Sequence, residues 1–131
     1  MKLLLPLTIA AMLVPGAASV RAADDSVLQP ADFAHYVTHF NTMEDENVTN
    51  FVSNADSWPW LQKEIPFFQC PDREVEEVYY FRWWSFRKHL ERLPDGFVFT
   101  EFLTRATPVS SALGHHLVEG RWLHDQDYLD D

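Results

Sequence analysis

The sequence predicts a mainly α-helical fold with one short extended or β element, and three observations predict it. Phe33, Tyr36, Val37 and Phe40 recur at the i, i+3, i+4, i+7 spacing of a single helix face. Residues 71–93 carry Asp72, Glu74, Glu76 and Glu77 at one end and Arg87, Lys88 and Arg92 at the other, the charge order that complements a helix dipole. Strict alternation is confined to 97–103, where Phe97, Phe99, Glu101 and Leu103 fall on one side and Val98, Thr100 and Phe102 on the other.

Taken in chain order, residues 1–22 stand apart from the fold. Lys2 gives a charged start, an apolar stretch follows at 3–14, and Val20-Arg21-Ala22 offers a cleavage box. That is the pattern of a secretory signal peptide cut near Ala22. It is too short to span a bilayer comfortably, and no second such stretch follows. The expectation is a soluble, exported domain at 23–131, with 23–30 as a loose leader.

Asp32 is placed to cap the helix of Phe33 to Phe40. Residues 41–54 are polar and carry Glu44, Asp45 and Glu46, so they read as a loop with one apolar contact at Phe51-Val52. Ser57-Trp58-Pro59 starts a short second helix, because Pro is tolerated in a first turn. Pro66 ends it, and Phe67-Phe68 reads as a buried connector.

Pro71 suits the first turn of the long helix, and Pro94-Asp95-Gly96 stops it. At 1.5 Å per residue its length would be about 33 Å. Beyond Pro108, Ser110 or Ser111 is placed to cap a further helix to about Glu119, with Gly120 ending it. Asp125 is placed to cap a last helix from about Gln126, and that pattern is still running at Asp131.

With 131 residues, a single small domain is the default. Aromatic residues make up 15%, with five Trp, and each large ring buries roughly 150–250 Å². A domain this small struggles to hide them all. Either some rings are exposed for binding or the chain belongs to something larger.

The formal charge is −10, and loss of Lys2 and Arg21 with the leader leaves eight basic against twenty acidic residues, or −12. Such a surface repels nucleic acid and anionic membranes. Cys70 is the single cysteine, so no internal disulfide forms. Asn47-Val48-Thr49 is a glycosylation sequon, meaningful only in a eukaryotic secretory route.

The densest chemical signal is EVYYFRWWSFR at 77–87, where six of eleven residues are aromatic and two are Arg. Most of these rings read as core. Arg82, Trp83 and Trp84 suit a ligand pocket, because sugars pack their C–H faces on Trp and Tyr and hydrogen-bond to Arg and carboxylates. Glu101 shares a side with two Phe, and apolar neighbours raise a carboxyl pKa, which makes it the acid/base candidate. The competing reading is an inward Glu paired to Arg82 or Arg105. The expectation that follows is an Arg82–Glu101 pair at the pocket floor, flanked by Trp83 or Trp84.

His115 and His116 lie about 100° apart on a helix and suit a shared metal poorly, and the i, i+4 His pair of zinc sites is absent. His115 and Glu119 are spaced to pair structurally. Asp125, Asp127, Asp130 and Asp131 lack the EF-hand pattern and read as a solvated helix start. Cys70 precedes Pro71 at a helix start, yet no Cys–His pairing is evident. No metal or cofactor is expected, and neither a Gly-rich phosphate loop nor a Gly-x-Ser-x-Gly elbow occurs.

Three stretches together carry a resemblance: FNTMEDENVTNFVSNADSWPWLQKEIPFFQCPDREVEEVYYFRWWSFRKHL, DGFVFTEFL and GHHLVEGRWLHDQDYLDD. They resemble the N-terminal part of bacterial six-hairpin glycosidases, nearest the mannosylglycerate-hydrolase-like glycoside hydrolases. YYFRWW and GHHLVEGRWL are the specific parts. The resemblance implies helical hairpins forming the first part of an (α/α)6 toroid, with 23–131 a partial N-terminal segment and the remainder C-terminal to Asp131.

It also implies an exported enzyme, periplasmic or secreted and bacterial, cleaving an oligosaccharide or polysaccharide by general acid–base catalysis. The catalytic carboxylates would come from later hairpins, so this segment alone would be inactive. It would supply sugar-subsite wall through Arg82, Trp83, Trp84, Glu101, His115, His116 and Trp122. A bare toroid segment should also expose an unusually large apolar patch. Two other classes remain open: a small sugar-binding module using Trp83, Trp84 and Trp122 as platforms, and a structural helical domain with no ligand.

Overall fold

The computed structural model describes residues 28–104 and 109–129; the leader expected at 1–22 and Arg105 lie outside them. The fold is mainly helical with one small two-stranded sheet. A 3₁₀ turn at Pro30–Phe33 leads into α1 (Ala34–Phe40), followed by α2 (Ser57–Glu64) and α3 (Arg73–Phe86). A second 3₁₀ turn, Arg87–His89, passes into a hairpin of β1 (Leu90–Leu93) and β2 (Gly96–Phe99). The chain then forms α4 (Ser110–Gly120) and a last 3₁₀ turn, Asp127–Leu129. Among the described residues, no helix is long and apolar enough to cross a membrane.

The amphipathic face at the start of the fold is buried as its spacing requires: Phe33, Tyr36, Val37 and Phe40 all lie in the core. They meet the inner face of α3 ring to ring. Tyr80 stacks on Phe33 at 5.0 Å and on Tyr36 at 5.2 Å, while Phe40 meets Phe81 at 5.3 Å and Trp84 at 5.8 Å. Leu61 of α2 and Ile65 just after it, both fully buried, close the core from that side. Each such side chain contributes about 1.5–3 kcal/mol through burial.

The long helix is shorter than its charge pattern suggests. Asp72, not Pro71, begins it: its backbone is extended, and Oδ1 accepts the N–H groups of Glu74 at 3.0 Å and Val75 at 3.4 Å. The helix ends at Phe86 rather than near Leu93 because the loop before α2 captures the next carbonyls. Asn50 Nδ2 donates to Lys88 O at 2.7 Å, and the Phe51 N–H donates to Leu90 O at 3.1 Å. Leu90 is therefore extended and pairs with Phe99, and Arg92 pairs with Phe97.

Pro94-Asp95-Gly96 thus turns a hairpin instead of stopping a helix. Gly96 holds a φ of 153°, a region that side chains disfavour. The extended element expected at 97–103 is real only as Gly96–Phe99, so the alternation beyond it orients nothing. Thr100 is buried and Glu101 is exposed, where the pattern placed Glu101 inward.

Other ends also differ. Asp32 lies inside the first 3₁₀ turn and makes no cap bond. Val109, not a serine, occupies the α4 N-cap, and Gly120 is the last helical residue rather than the residue beyond. Within the described residues, the helix expected from Gln126 is one 3₁₀ turn, with Asp125 Oδ1 accepting the Asp127 N–H at 3.0 Å.

That turn is held to α2. Buried Glu64 accepts the Asp125 N–H at 3.1 Å on its carboxylate and the His124 N–H at 2.7 Å on its carbonyl. Trp60 Nε1 donates to Tyr128 Oη at 3.3 Å. Gly120 makes room for the same turn, since a Cβ there would sit 2.8 Å from Leu129 Cδ2 and 3.5 Å from Phe86 Cζ.

Gly120→Ala should therefore cost about 1 kcal/mol through overpacking, softened because the Leu129 tip can move. Gly114, with nothing within 4 Å of a built Cβ, is the control. Gly114→Ala should stabilise by about 0.5–1 kcal/mol through helix propensity alone. Thermal unfolding of the two variants should move in opposite directions, and a shared sign would refute this packing account.

Several large apolar side chains stay exposed: Val75, Val78, Phe102, Leu113, Leu117, Val118 and Trp122, with Phe81 partly so at the edge of its packing on Phe40. A helix that is aromatic nearly all round is therefore not buried all round.

Candidate functional site

Tyr79, Arg82, Trp83 and Phe86 follow the i, i+3, i+4, i+7 rule on α3 and form one stripe. Opposite them, Val118 and Glu119 near the end of α4 and Trp122 just beyond it complete a cleft of about 240 Å³. The stripe stands free because Phe33, Tyr36 and Phe40 cover the other side of α3, which carries Tyr80 and Trp84.

The cleft is aromatic on both walls. Trp83 lies almost buried beneath it, its ring 6.4 Å from Tyr79 and 5.5 Å from Phe86, both edge-on. Trp122 is 60% exposed, so its face is available, with the Arg121 guanidinium 5.4 Å from the ring centre. Tyr79 is held at its far end by donating its hydroxyl to Pro66 O. Burial pushes its phenol pKa up, against a smaller opposing effect of Trp83, so it stays protonated.

Polar chemistry enters through one pair. The Arg82 guanidinium bonds the Glu119 carboxylate across the cleft mouth, with the Arg82 side chain 59% exposed and that of Glu119 37%. A pair so exposed adds about 0–1 kcal/mol. Both groups therefore remain free to trade partners for a ligand's hydroxyls or carboxylate at little cost.

The Arg82–Glu101 pair expected from the sequence does not form. Arg82 meets Glu119 instead, and Glu101 stands exposed because the strand that would have aimed it inward ends at Phe99. Of the seven residues named from the sequence, Arg82, Trp83 and Trp122 come together here. Trp84, Glu101, His115 and His116 do not line the cleft.

Trp84 points to the opposite side of α3, 3% exposed, where its Nε1 donates to Asn41 Oδ1 at 2.7 Å. Lys88 Nζ lies 4.0 Å from its ring centre. His115 is exposed, and His116 packs behind the cleft against Phe86, His89 and Phe99. Tyr79, Phe86, Val118 and Glu119 are the lining residues that sequence reasoning missed. The helical stripe through Arg82 and Trp83 was the signal for the first two. Among the described residues, no group of three or more His, Cys, Asp or Glu is arranged to hold a metal ion.

No protein-family model matches the chain, and no curated protein matches it. A solved structure named "Sialidase" does match, at 48% sequence identity over 79% of this chain with a TM-score of 0.74. The match takes up 10% of that protein, so this chain spans about a tenth of its length. A sialidase is a glycoside hydrolase. The likeness is thus to a glycosidase, without singling out the six-hairpin group.

Proposed function

We propose that this chain is a segment of an exported glycoside hydrolase, and that its α3–α4 cleft forms part of the wall of a sugar subsite. The observation that carries the reading is the 48% identity to a sialidase over 79% of the chain. The cleft's chemistry supports it. Tyr79, Trp83 and Trp122 offer ring surface for the C–H faces of a pyranose, and Glu119 and Arg82 offer an acceptor and a forked donor for its polar groups.

The neighbour's name points to sialylated glycans, which carry a carboxylate. Arg82 suits such a group, since a guanidinium binds carboxylates in bidentate fashion. Glycosidic hydrolysis generally needs two carboxylates flanking the bond, roughly 5–5.5 Å apart for retention or 6.5–9.5 Å for inversion. Glu119 is the single carboxylate among the lining residues. A wall that binds and orients fits this better than a complete catalytic centre. On this reading the acid and base belong to other parts of a larger enzyme, arranged as a six-hairpin toroid, and residues 1–22 direct export.

Titrating the full chain with a sialylated trisaccharide, and separately with its neutral disaccharide core, tests the reading by Trp fluorescence. Both should give saturable changes, the sialylated ligand binding more tightly. Trp122→Ala should weaken both about tenfold, a loss of roughly 1.4 kcal/mol. Arg82→Ala should remove the preference for the acidic sugar. Absence of any saturable change in the unaltered chain would overturn the subsite.

A further inference from the structure

We propose that His116 is a pH-sensitive latch: neutral, it holds α4 and the Val118–Glu119–Trp122 wall closed on α3, and protonated, it releases them. The geometry carries this. The His116 ring stacks on Phe99 of β2 at 5.6 Å and 11°, and lies 6.0 Å from Phe86 of α3 and 5.3 Å from His89 of the 3₁₀ turn. One imidazole therefore contacts three elements that α4 must meet in order to dock. Phe86 is common to this packing and to the cleft lining.

The site is built for a neutral ring. His116 Nδ1 is buried and has no hydrogen-bond partner. A proton added there would sit in an apolar pocket without an acceptor, which is costly. His89 is engaged elsewhere: its Nδ1 donates to Thr100 O at 2.7 Å, which holds its ring in place.

The charged and titratable groups facing His116 come from every element around it. His89 on the turn and Arg82 on α3 oppose a positive charge, while Glu119 on α4 and Glu101 beyond β2 favour one. Burial is the largest influence, and with His89 and Arg82 it holds the His116 pKa below the ordinary 6.5. A base with a depressed pKa in the docked state stabilises docking fully above its free value. That stability declines as pH falls below about 6.5 and the undocked state takes up the proton. The cleft should therefore be closed at neutral pH and should loosen on acidification.

Amide hydrogen exchange of the full chain, corrected for intrinsic rates, tests the latch without any glycan, so it stands or falls independently of the subsite reading. Between about pH 8 and pH 5, where histidine changes charge, protection across 112–120 should fall several-fold while that of α1 and α3 holds. In His116→Phe, which keeps the ring packing and cannot be protonated, α4 protection should not change with pH. An equal fall in that variant, or none in the unaltered chain, would overturn the proposal. If His116→Phe does not fold, an NMR titration of the unaltered chain decides. A His116 pKa at or above that of exposed His115 refutes the latch, and one below it, with α4 resonances shifting in step, supports it.

Discussion

Glu76→Ala should lower the unfolding free energy by about 3–5 kcal/mol, because it strands partners around a buried carboxylate. Glu76 is 1% exposed. Its carboxylate accepts the Tyr36 hydroxyl at 2.8 Å, the Cys70 N–H at 2.8 Å and the Arg73 guanidinium at 3.1 Å. Those bonds join α1, the connector before α3 and the first turn of α3 at one point. Without the carboxylate, the Tyr36 phenol and the Cys70 amide lose their acceptor, and α1 loses its polar anchor to α3.

The same network fixes a pH dependence. Burial raises the Glu76 pKa, but the Cys70 amide, the Tyr36 hydroxyl and Arg73 together outweigh it and hold it below the ordinary 4.5. Tyr36 moves the other way, pushed up by burial and by donating to Glu76. A carboxyl depressed in the folded state contributes its full stability above 4.5 and loses it as pH falls through the lower, folded value. Urea unfolding of the unaltered chain and of Glu76→Gln should therefore differ at neutral pH and converge on acidification. A gap as wide at about pH 3 as at neutral pH would refute the anchor, since the unfolded carboxyl is protonated there.

The helices around this anchor were legible because their signals are local. The spacing of Phe33, Tyr36, Val37 and Phe40 named one buried face, and Asp72 with Glu74 and Glu76 marked a helix start. What escaped was decided across the fold. Nothing near Lys88 or Leu90 in sequence says that Asn50 and Phe51 will take their carbonyls, so the charge pattern carries the helix seven residues too far and hides the first strand within it. The same error aimed Glu101 inward and supplied Arg82 with the wrong partner.

Glu76 reads as one more acid in a charged first turn, and its burial depends on where Tyr36 arrives, forty residues away. The cleft was half legible. Arg82 and Trp83 stood out by residue type, while Tyr79 and Phe86 belong to it only through helical phase. Val118 and Glu119 belong to it only because Gly120 and His116 let α4 lie down where it does.

Arg87→Ala should destabilise the chain by about 2–4 kcal/mol, and Arg87→Met by clearly less. Arg87 is fully buried just after α3, at the base of the hairpin. It donates to Val52 O at 2.7 Å and to Asn54 Oδ1, and its guanidinium lies 5.2 Å from the Trp84 ring centre. It thereby clamps the loop before α2 to the end of α3. Yet the charge is poorly matched, for Nε is buried without a partner. Burial pulls its pKa down to about 10, with Glu46 alone pushing the other way. Glu46 acts at one remove, since its carboxylate accepts the Asn54 N–H at 2.7 Å.

Alanine removes both the donors and the volume, leaving a cavity under Trp84 and two orphaned acceptors. Methionine keeps most of the volume and also removes an uncompensated buried charge, so part of its loss is offset. Denaturant unfolding of the two variants separates these effects. Equal losses would mean that the hydrogen bonds to Val52 and Asn54 outweigh both packing and desolvation. A loss below about 0.5 kcal/mol for alanine, the range of ordinary surface substitutions, would mean that the clamp does not hold the loop at all.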